Sequence, residues 1–439
     1  MHSLVPSAPS AHAPTFVCVC VLDTIINPLH APFLRLESAP ASMETEVIGI
    51  YKPGKPRDLP ASYKPISLLS GLAKLYQRVL KTRLTDHLLG KGLIINEQFG
   101  FRPVHFCPQQ VLRLVEYATE GFKRKHKTVA VFFDVAKAFD RVWHAGLVYK
   151  LYSLQVPDRL IFIIQNYLSN RYFTFRHERT HSTRRLIRAG VPQGSALSPL
   201  LYPAYTNDIP RPTSGVQLAL FADDTALFHR NRYKDVAARH LQTAIDELGQ
   251  WFRLWRIEVN PEKSVAIQFK YSKRRSKFVV DYDTPTLKML NARIPWQRSY
   301  KYLGVTLDRN LNFRDHIARV RKTALFYTAR LGALLGRKSK LSRRNKRTIY
   351  KMCIRTVMTY ASPVFAHAAP KALHRLQDAS KRFFDIAGSH PNALLRVAVV
   401  YQPPPPTHFI RRPQNVLFDP PDALTAAVDS LNDVNDTHD

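Results

Sequence analysis

The sequence predicts an α/β (α+β) catalytic body, and three observations predict it. Thr128-Val129-Ala130-Val131-Phe132-Phe133-Asp134 is a continuous apolar run, of the kind found in strands buried on both faces, and it ends in a carboxylate. Leu218 to Phe221 and Ala226 to Phe228 read as the two arms of a β-hairpin, with the turn-favouring Asp223 and Asp224 between them. Lys234 to Trp255 places Ala237, Leu241, Ala244, Ile245, Leu248, Phe252 and Trp255 on one helical face. This alternation of strand-like and helix-period segments starts near Glu46; residues 1–43 are rich in Pro, Ala and Ser, lack periodicity and predict an irregular leader.

Further along, Lys273-Arg274-Arg275 interrupts a stretch of short polar strands, and two strongly basic helices follow, roughly Phe313 to Leu335 and Ser342 to Tyr360. In the second, Ile349, Met352, Cys353 and Tyr360 mark an apolar stripe, while Arg344, Arg347, Lys351 and Arg355 form a separate one. Helix charges usually make a solvated face. Here almost no acids are interleaved to form i,i+4 pairs, which favours contact with phosphates. Pro403-Pro404-Pro405-Pro406 and an acidic end from Asp429 to Asp439 predict an extended tail.

The 439 residues include 65 Lys and Arg against 33 Asp and Glu, a net charge of +32. Self-repulsion on that scale disfavours a compact state unless a polyanion neutralises it, so a nucleic-acid partner is expected. The basic residues are spread through folded-looking segments and not gathered on one amphipathic helix, which argues against a membrane surface. A 45% hydrophobic content supports substantial cores, and the length allows two or three domains. Cys18, Cys20, Cys107 and Cys353 have no zinc-ligand spacing, and so few thiols point to a reducing compartment. Residues 15–22 resemble a short signal-peptide core, but no Lys or Arg precedes them and Asp23 follows, so they are read as leader. No run approaches the length of a membrane span.

The chemistry is expected where acids gather. An Asp-Asp pair in a turn ordinarily serves its own backbone. Asp134 and the pair Asp223-Asp224 change that expectation if their strands are neighbours in one sheet, because three like charges would then repel strongly without divalent cations. Mg2+ takes carboxylate oxygens, waters and substrate phosphates, and two such ions clamp the attacking and leaving oxygens of a phosphoryl displacement. The implied reaction class is nucleotidyl transfer. Asp140, in Phe139-Asp140-Arg141-Val142, is read as a helix cap. Gly190-Val191-Pro192-Gln193-Gly194-Ser195 is a strand-to-helix loop in which Gly194 permits close approach of a ligand, followed by an apolar helix from about Ala196 to Tyr205. Tyr51-Lys52-Pro53-Gly54-Lys55-Pro56 and Tyr63-Lys64-Pro65-Ile66-Ser67-Leu68-Leu69 are expected to hold lysines on rigid turns, and neither has the spacing of a Walker loop.

In this order, the segments resemble reverse transcriptases of non-LTR (LINE-type) retrotransposons, the jockey-like group in particular. The residues that carry the resemblance are Tyr63 to Leu69, Gln98-Phe99-Gly100-Phe101-Arg102, Phe133-Asp134-Val135-Ala136-Lys137-Ala138-Phe139-Asp140, Gly190 to Ser195, Phe221-Ala222-Asp223-Asp224 and Tyr302-Leu303-Gly304-Val305, within about residues 46–390. The resemblance implies a right-hand polymerase: fingers and palm over residues 44–290, a basic helical thumb over 291–390 and a tail over 391–439. It implies an RNA-directed DNA polymerase that uses an RNA template, a DNA primer or target and dNTPs, with two Mg2+ ions, or Mn2+ in their place. Asp134, Asp223 and Asp224 would be the metal-binding carboxylates, with Lys263 protonating the leaving pyrophosphate. Phe139 would be the aromatic gate under the sugar, although an isolated Phe there would read as core. Gln193 and Gly194 would line the nucleotide and template pocket, Lys55 and Lys64 would lie near the triphosphate, and Tyr302, Leu303 and Gly304 would form the primer grip.

The sequence departs from the family in carrying Lys64 where Arg is usual, which exchanges a bidentate fork for a point charge, and in having His105-Phe106-Cys107 after Phe101-Arg102. The stretch near Leu376-Gln377-Asp378-Ala379 is shortened, and no apurinic-type endonuclease domain precedes Glu46, as in a truncated copy. Two rival expectations follow: an inactive remnant that binds nucleic acid without polymerising, and an RNA-templated RNA polymerase, which the bulk of Phe139 disfavours. Retroelement function implies cytoplasm and nucleus, and Lys273-Arg274-Arg275 reads equally as a nuclear signal or a phosphate contact.

Overall fold

The computed structural model describes residues 45–271, 279–280, 283–336, 339–366 and 368. The leader, Lys273-Arg274-Arg275, Leu376 to Ala379 and the tail lie outside the described residues. The strands in chain order are β1 (Thr45–Tyr51), β2 (Tyr63–Leu68), β3 (Lys127–Val135), β4 (Tyr172–His177), β5 (Thr180–His181), β6 (Arg185–Leu186), β7 (Gln217–Phe221), β8 (Asp224–Asn231), β9 (Val259–Phe269), β10 (Lys288–Met289), β11 (Ala292–Arg293), β12 (Ser299–Tyr302) and β13 (Val305–Asp308). By contact the described residues divide into two compact units, those within Met1–Lys91 and Trp143–Leu201, and those within Gly92–Val142 and Tyr202–Asp439. Among the described residues no helix is long and apolar enough to cross a membrane.

In the first unit β2, β1, β4 and β5 lie side by side with β6 also on β4; β1 is antiparallel to β2 and parallel to β4. Helix Gly71–Leu88 starts where the Ser70 side chain accepts a hydrogen bond from Ala73 N–H, and Leu84 and Leu88 are fully buried with Leu147, Leu151, Ile161 and Ile164 of helices His144–Ser153 and Asp158–Leu168. The expected rigid turn at Tyr63 to Leu69 is corrected: Tyr63–Leu68 is a strand, with Pro65 opposite Gly49. As the edge strand of its sheet, β2 has a side that needs no N–H from Pro65, so the proline is tolerated. The other lysine segment is a turn, with Lys55 N–H donating to Lys52 O at 3.3 Å.

The second unit is built on a sheet of order β7-β8-β3-β9, antiparallel throughout. The apolar run expected from Thr128 to Asp134 is β3, a central strand, which explains why nearly every residue of it is apolar. Ala130 and Phe132 point into the core that helix Cys107–Lys123 closes through Val111, Leu114, Val115 and Ala118. Val129 and Val131 alternate to the other face, and helix Lys234–Leu254 packs on this sheet through Ala237, Leu241, Ala244, Ile245, Leu248 and Phe252. Those are the residues that the helical periodicity selects. Asp140 is not the helix cap expected of it. Lys137 at φ 50° turns the chain first, Asp140 N–H donates to Lys137 O at 2.9 Å, and the next helix starts only at His144 with Trp143 at its N-cap.

The two basic segments are helical, as Arg314–Arg330 with Gly332–Leu335, and as Arg343–Tyr350 continuing through a π stretch at Lys351–Arg355 into Thr356–Thr359. Within the second, Met352 is 68% exposed while Ile354 and Met358 are buried against Val320, Ala324 and Leu335. The expected stripe through Met352 is therefore corrected. It assumed 3.6 residues per turn throughout, and the wider π turn changes which residues face inward. Arg344, Lys351 and Arg355 are exposed and Arg347 is half-buried, so the basic stripe stands largely in solvent.

β12 and β13 pair as a hairpin around Leu303 at φ 43° and Gly304 at φ 83°, the two left-handed residues of a tight two-residue turn. A Cβ on Gly304 would lie 2.9 Å from Tyr360 Cε1. Gly304→Ala therefore adds backbone strain to a clash and should destabilise the fold by about 1–3 kcal/mol; urea unfolding measures this, and an unchanged midpoint would show that the turn is relaxed.

Candidate active site

The β3–β8 register pairs Phe133 with Thr225, so Asp134 and Asp224 are next in line at the same end of neighbouring strands. The β7–β8 hairpin turns through Ala222, at φ 57°, and Asp223. All three carboxylates thus gather at one edge of the second unit's sheet. Burial of its carboxyl, then the charge of Asp223, then that of Asp134, pushes Asp224 up to about 6 from the ordinary carboxylate value, even though the residue as a whole is exposed. Burial, then the charges of Asp224 and Asp134, hold the Tyr300 phenol above its usual range.

On the other side of β3 the ladder slips. Phe132 pairs with Val265 but Asp134 with Asn260, so Pro261 to Ser264 form an irregularity beside the strand end. Ser264 is fully buried there, its hydroxyl accepting from Asp134 N–H at 3.2 Å and donating to Asn260 O at 2.8 Å. Lys263 is the preceding, exposed residue, its N–H directed at Asn260 Oδ1. The sequence offers Lys263 as a candidate but passes over Ser264, whose role depends on a strand pairing that no local pattern reveals.

Phe139 is half-buried, stacked on Tyr202 at 4.8 Å between ring centroids and edge-on to Phe101 at 6.0 Å. Tyr202 is only 2% exposed, and burial together with the charges of Asp223, Tyr205 and Asp224 raises its phenol well above the usual range. It links the aromatic ring to the acidic edge. Sequence reasoning missed it because a Tyr in an apolar helix reads as packing. Tyr302 is also buried, its ring 4.8 Å from that of Phe132, so the hairpin presents its turn and not that phenol. Arg319 Nη2 donates to Gly304 O at 2.6 Å and Tyr360 Oη to Leu303 O at 2.8 Å, which ties down both residues of the turn.

The remaining candidates belong to the first unit. Gly194, at φ 100°, has its Cα within reach of β2: an added Cβ would sit 3.0 Å from Ser67 O, and Gln193 O accepts from Ser67 N–H at 2.9 Å. Ser195 Oγ donates to Gln77 Oε1 at 2.9 Å, anchoring the loop to helix Gly71–Leu88. Lys55 and Lys64 are exposed.

The donor set suits a hard divalent cation. It offers carboxylate oxygens whose mutual repulsion, visible at Asp224, a cation would relieve. Among the described residues no three His, Cys, Asp or Glu side chains are placed to hold a metal ion as they stand. Mg2+ needs no such cage, since it keeps waters and binds through one or two carboxylates with substrate phosphates.

A four-stranded antiparallel sheet flanked by helices, with acids gathered at one end of its central strands, is consistent with an α/β polymerase fold. The reverse transcriptase (RNA-dependent DNA polymerase) family profile matches residues 50–307, and the chain belongs to this family. It is 35% identical over 357 residues to the probable RNA-directed DNA polymerase from transposon BS of Drosophila melanogaster, covering 80% of this chain and 39% of that protein. It is 34% identical to the RNA-directed DNA polymerase from mobile element jockey of the same fly, covering 75% of this chain and 36% of that protein. The chain thus spans under two fifths of the length of either relative. Among solved structures, telomerase from Candida albicans in complex with a telomeric RNA fragment aligns at 12% identity with a TM-score of 0.44, over 88% of this chain and 70% of that one.

Asp224 gives a pH signature. The folded chain holds its proton more tightly than the unfolded chain does, so the stability contributed by that proton is present below the ordinary carboxylate pKa and is lost as pH rises through about 6. In cation-free buffer the thermal midpoint of the wild type should fall relative to Asp224→Asn between about pH 4 and about pH 6. Millimolar Mg2+ should narrow the gap at the upper end; parallel pH profiles for the two proteins would contradict the repulsion.

Proposed function

We propose that the chain is an RNA-directed DNA polymerase of a non-LTR retrotransposon, joining dNTPs to a primer 3′-hydroxyl on an RNA template. The observation that carries this is the register that sets Asp134 beside Asp224 at the hairpin bearing Asp223. Asp134 and Asp223 hold the cations, with Asp224 supporting them, and two Mg2+ ions bound there would neutralise the triphosphate and the attacking oxygen. Catalysis is then mostly positioning and charge neutralisation. Lys263 supplies the leaving pyrophosphate with a proton. Lys55 and Lys64 serve the triphosphate, Gln193 and Gly194 the nucleotide and template. The turn Leu303–Gly304, carried by Tyr302, grips the primer, and the exposed basic stripe from Arg344 to Arg355 follows its phosphates. Fingers and palm occupy residues 44–290 and the thumb 291–390. Work on RNA and on chromosomal DNA places the protein in cytoplasm and nucleus.

Primer extension on poly(rA)/oligo(dT) tests the proposal. Wild-type chain should extend, and Asp223→Asn should lose on the order of 10²-fold or more in rate while binding template–primer equally well, since it removes a cation ligand and no basic contact. A mutant that retains more than about a tenth of the rate would overturn the assignment of Asp223.

Phe139 supports discrimination against ribonucleotides, because the 2′-hydroxyl is what distinguishes them and a ring braced on Tyr202 can exclude it. Phe139→Val should keep dNTP incorporation within roughly tenfold yet admit rNTPs far more readily, since the carboxylates are untouched. Equal impairment with both nucleotide types, or loss of the fold, would make Phe139 a core residue only.

A further inference from the structure

The turn that carries Asp223 begins with Ala222, a non-glycine residue in the left-handed region, and two-residue turns of this kind favour Gly, Asn or Asp. Something must hold Ala222 there. Its N–H donates to Gln98 Oε1 at 3.0 Å, and the same oxygen accepts from Gly100 N–H at 2.8 Å. Gln98 is 1% exposed, and its Nε2 is buried with no partner among the described residues. The side chain is committed to the turn through its oxygen, which serves two backbone N–H groups at once.

The backbone around Gln98 reinforces the contact. Leu220 N–H donates to Glu97 O at 3.0 Å and Phe99 N–H to Leu220 O at 2.9 Å, so Glu97 to Phe99 runs as an extra strand segment along β7. Gln110 Nε2, from helix Cys107–Lys123, donates to Leu220 O at 3.1 Å and to Glu97 O at 3.3 Å, which joins both to the core. Gly100 then passes so close to the turn that a Cβ on it would lie 2.1 Å from Ala222 N. Only glycine allows that approach.

We propose that Gln98 is a positioning residue for nucleotidyl transfer: its side-chain oxygen latches the Ala222 amide and so fixes the turn from which Asp223 and Asp224 are presented to the cations. The proposal rests on the function proposed above for those carboxylates. It differs from ordinary core packing in what it affects. Removing the oxygen should loosen one turn and the geometry of two carboxylates, and leave the sheet intact.

Amide hydrogen exchange at single-residue resolution, with primer extension on the same full-length proteins, provides the test. In the wild type the Ala222 amide should be protected. Gln98→Met, of similar length and lacking the oxygen, should accelerate its exchange at least about tenfold while amides of β3 and of helix Lys234–Leu254 stay within about twofold. Gln98→Glu keeps an acceptor for both N–H groups and should keep the protection. In extension assays Gln98→Met should lower kcat by about tenfold or more and raise the Mg2+ concentration needed for half-maximal rate, with template–primer Kd and dNTP KM within about twofold. Gly100→Ala, which pushes the latch and the turn apart, should reproduce both effects.

An unprotected Ala222 amide in the wild type, or unchanged exchange in Gln98→Met, would overturn the latch. So would a loss of protection that spreads equally through β3, since Gln98 would then be a structural residue. A wild-type chain that extends no template–primer overturns the proposed function instead, and exchange at Ala222 still decides whether Gln98 holds the turn.

Discussion

The acidic end of the second unit's sheet is set by the antiparallel pairing of β3 with β8. That pairing buries Ala130, Phe132, Ala226 and Phe228 in one core, and through the same register it brings Asp134 and Asp224 side by side. Side chains alternate across a strand, so a slip of one residue would exchange the two sets of β3 side chains between the faces on which they pack and separate the acids. Burial therefore enforces the juxtaposition of like charges that electrostatics opposes. Burial of the Asp224 carboxyl, and after it the charges of Asp223 and Asp134, displace its pKa upward, and a cation bound there would lower the cost of that juxtaposition.

Around this pair the chain spends several unusual conformations. Ala222 and Lys137 take left-handed backbone next to the acids, and the β3–β9 ladder breaks beside Asp134. Three irregular places have a specific hydrogen-bond partner: Gln98 for Ala222, Ser264 for the break, Tyr360 and Arg319 for the turn at Leu303–Gly304. Strained or irregular backbone persists where the surroundings over-determine it, and here the surroundings are buried oxygens and aromatic rings. Phe132, in the middle of β3, carries Tyr300 and Tyr302 of the hairpin against it, so the hairpin is registered to the same strand as the acids.

Tyr202 and Phe139 extend this arrangement to a third side. The stack puts a half-buried ring over a fully buried phenol that senses the acidic edge. An aromatic pair of this kind is rigid, and rigidity is what a steric filter requires. The first unit is organised on a different principle, with a loop from Gly190 to Ser195 tied to β2 and to Gln77 by backbone and side-chain hydrogen bonds.

Much of this was legible in the sequence for physical reasons. A strand buried on both faces must be apolar throughout, so Thr128 to Phe133 declared its place at the centre of a sheet, and the seven apolar positions from Ala237 to Trp255 declared a helix packed on one side. The ordered motifs named the acids, Phe139 and Lys263. Local patterns misled where the backbone left its ordinary period: the π stretch at Lys351–Arg355 exposed Met352, Lys137 turned the chain ahead of Asp140, and Pro65 sat on a sheet edge and not in a turn. The contacts of Gln98, Ser264 and Tyr202 could not be read from sequence spacing, because each is made with a partner distant in the chain: Ala222, Asp134 and Phe139. The sequence by itself determined which residues could do chemistry and which segments had to be buried. Tertiary structure alone decided which of them meet, because hydrogen bonds and ring contacts depend on distances of a few ångströms that only strand register and packing define.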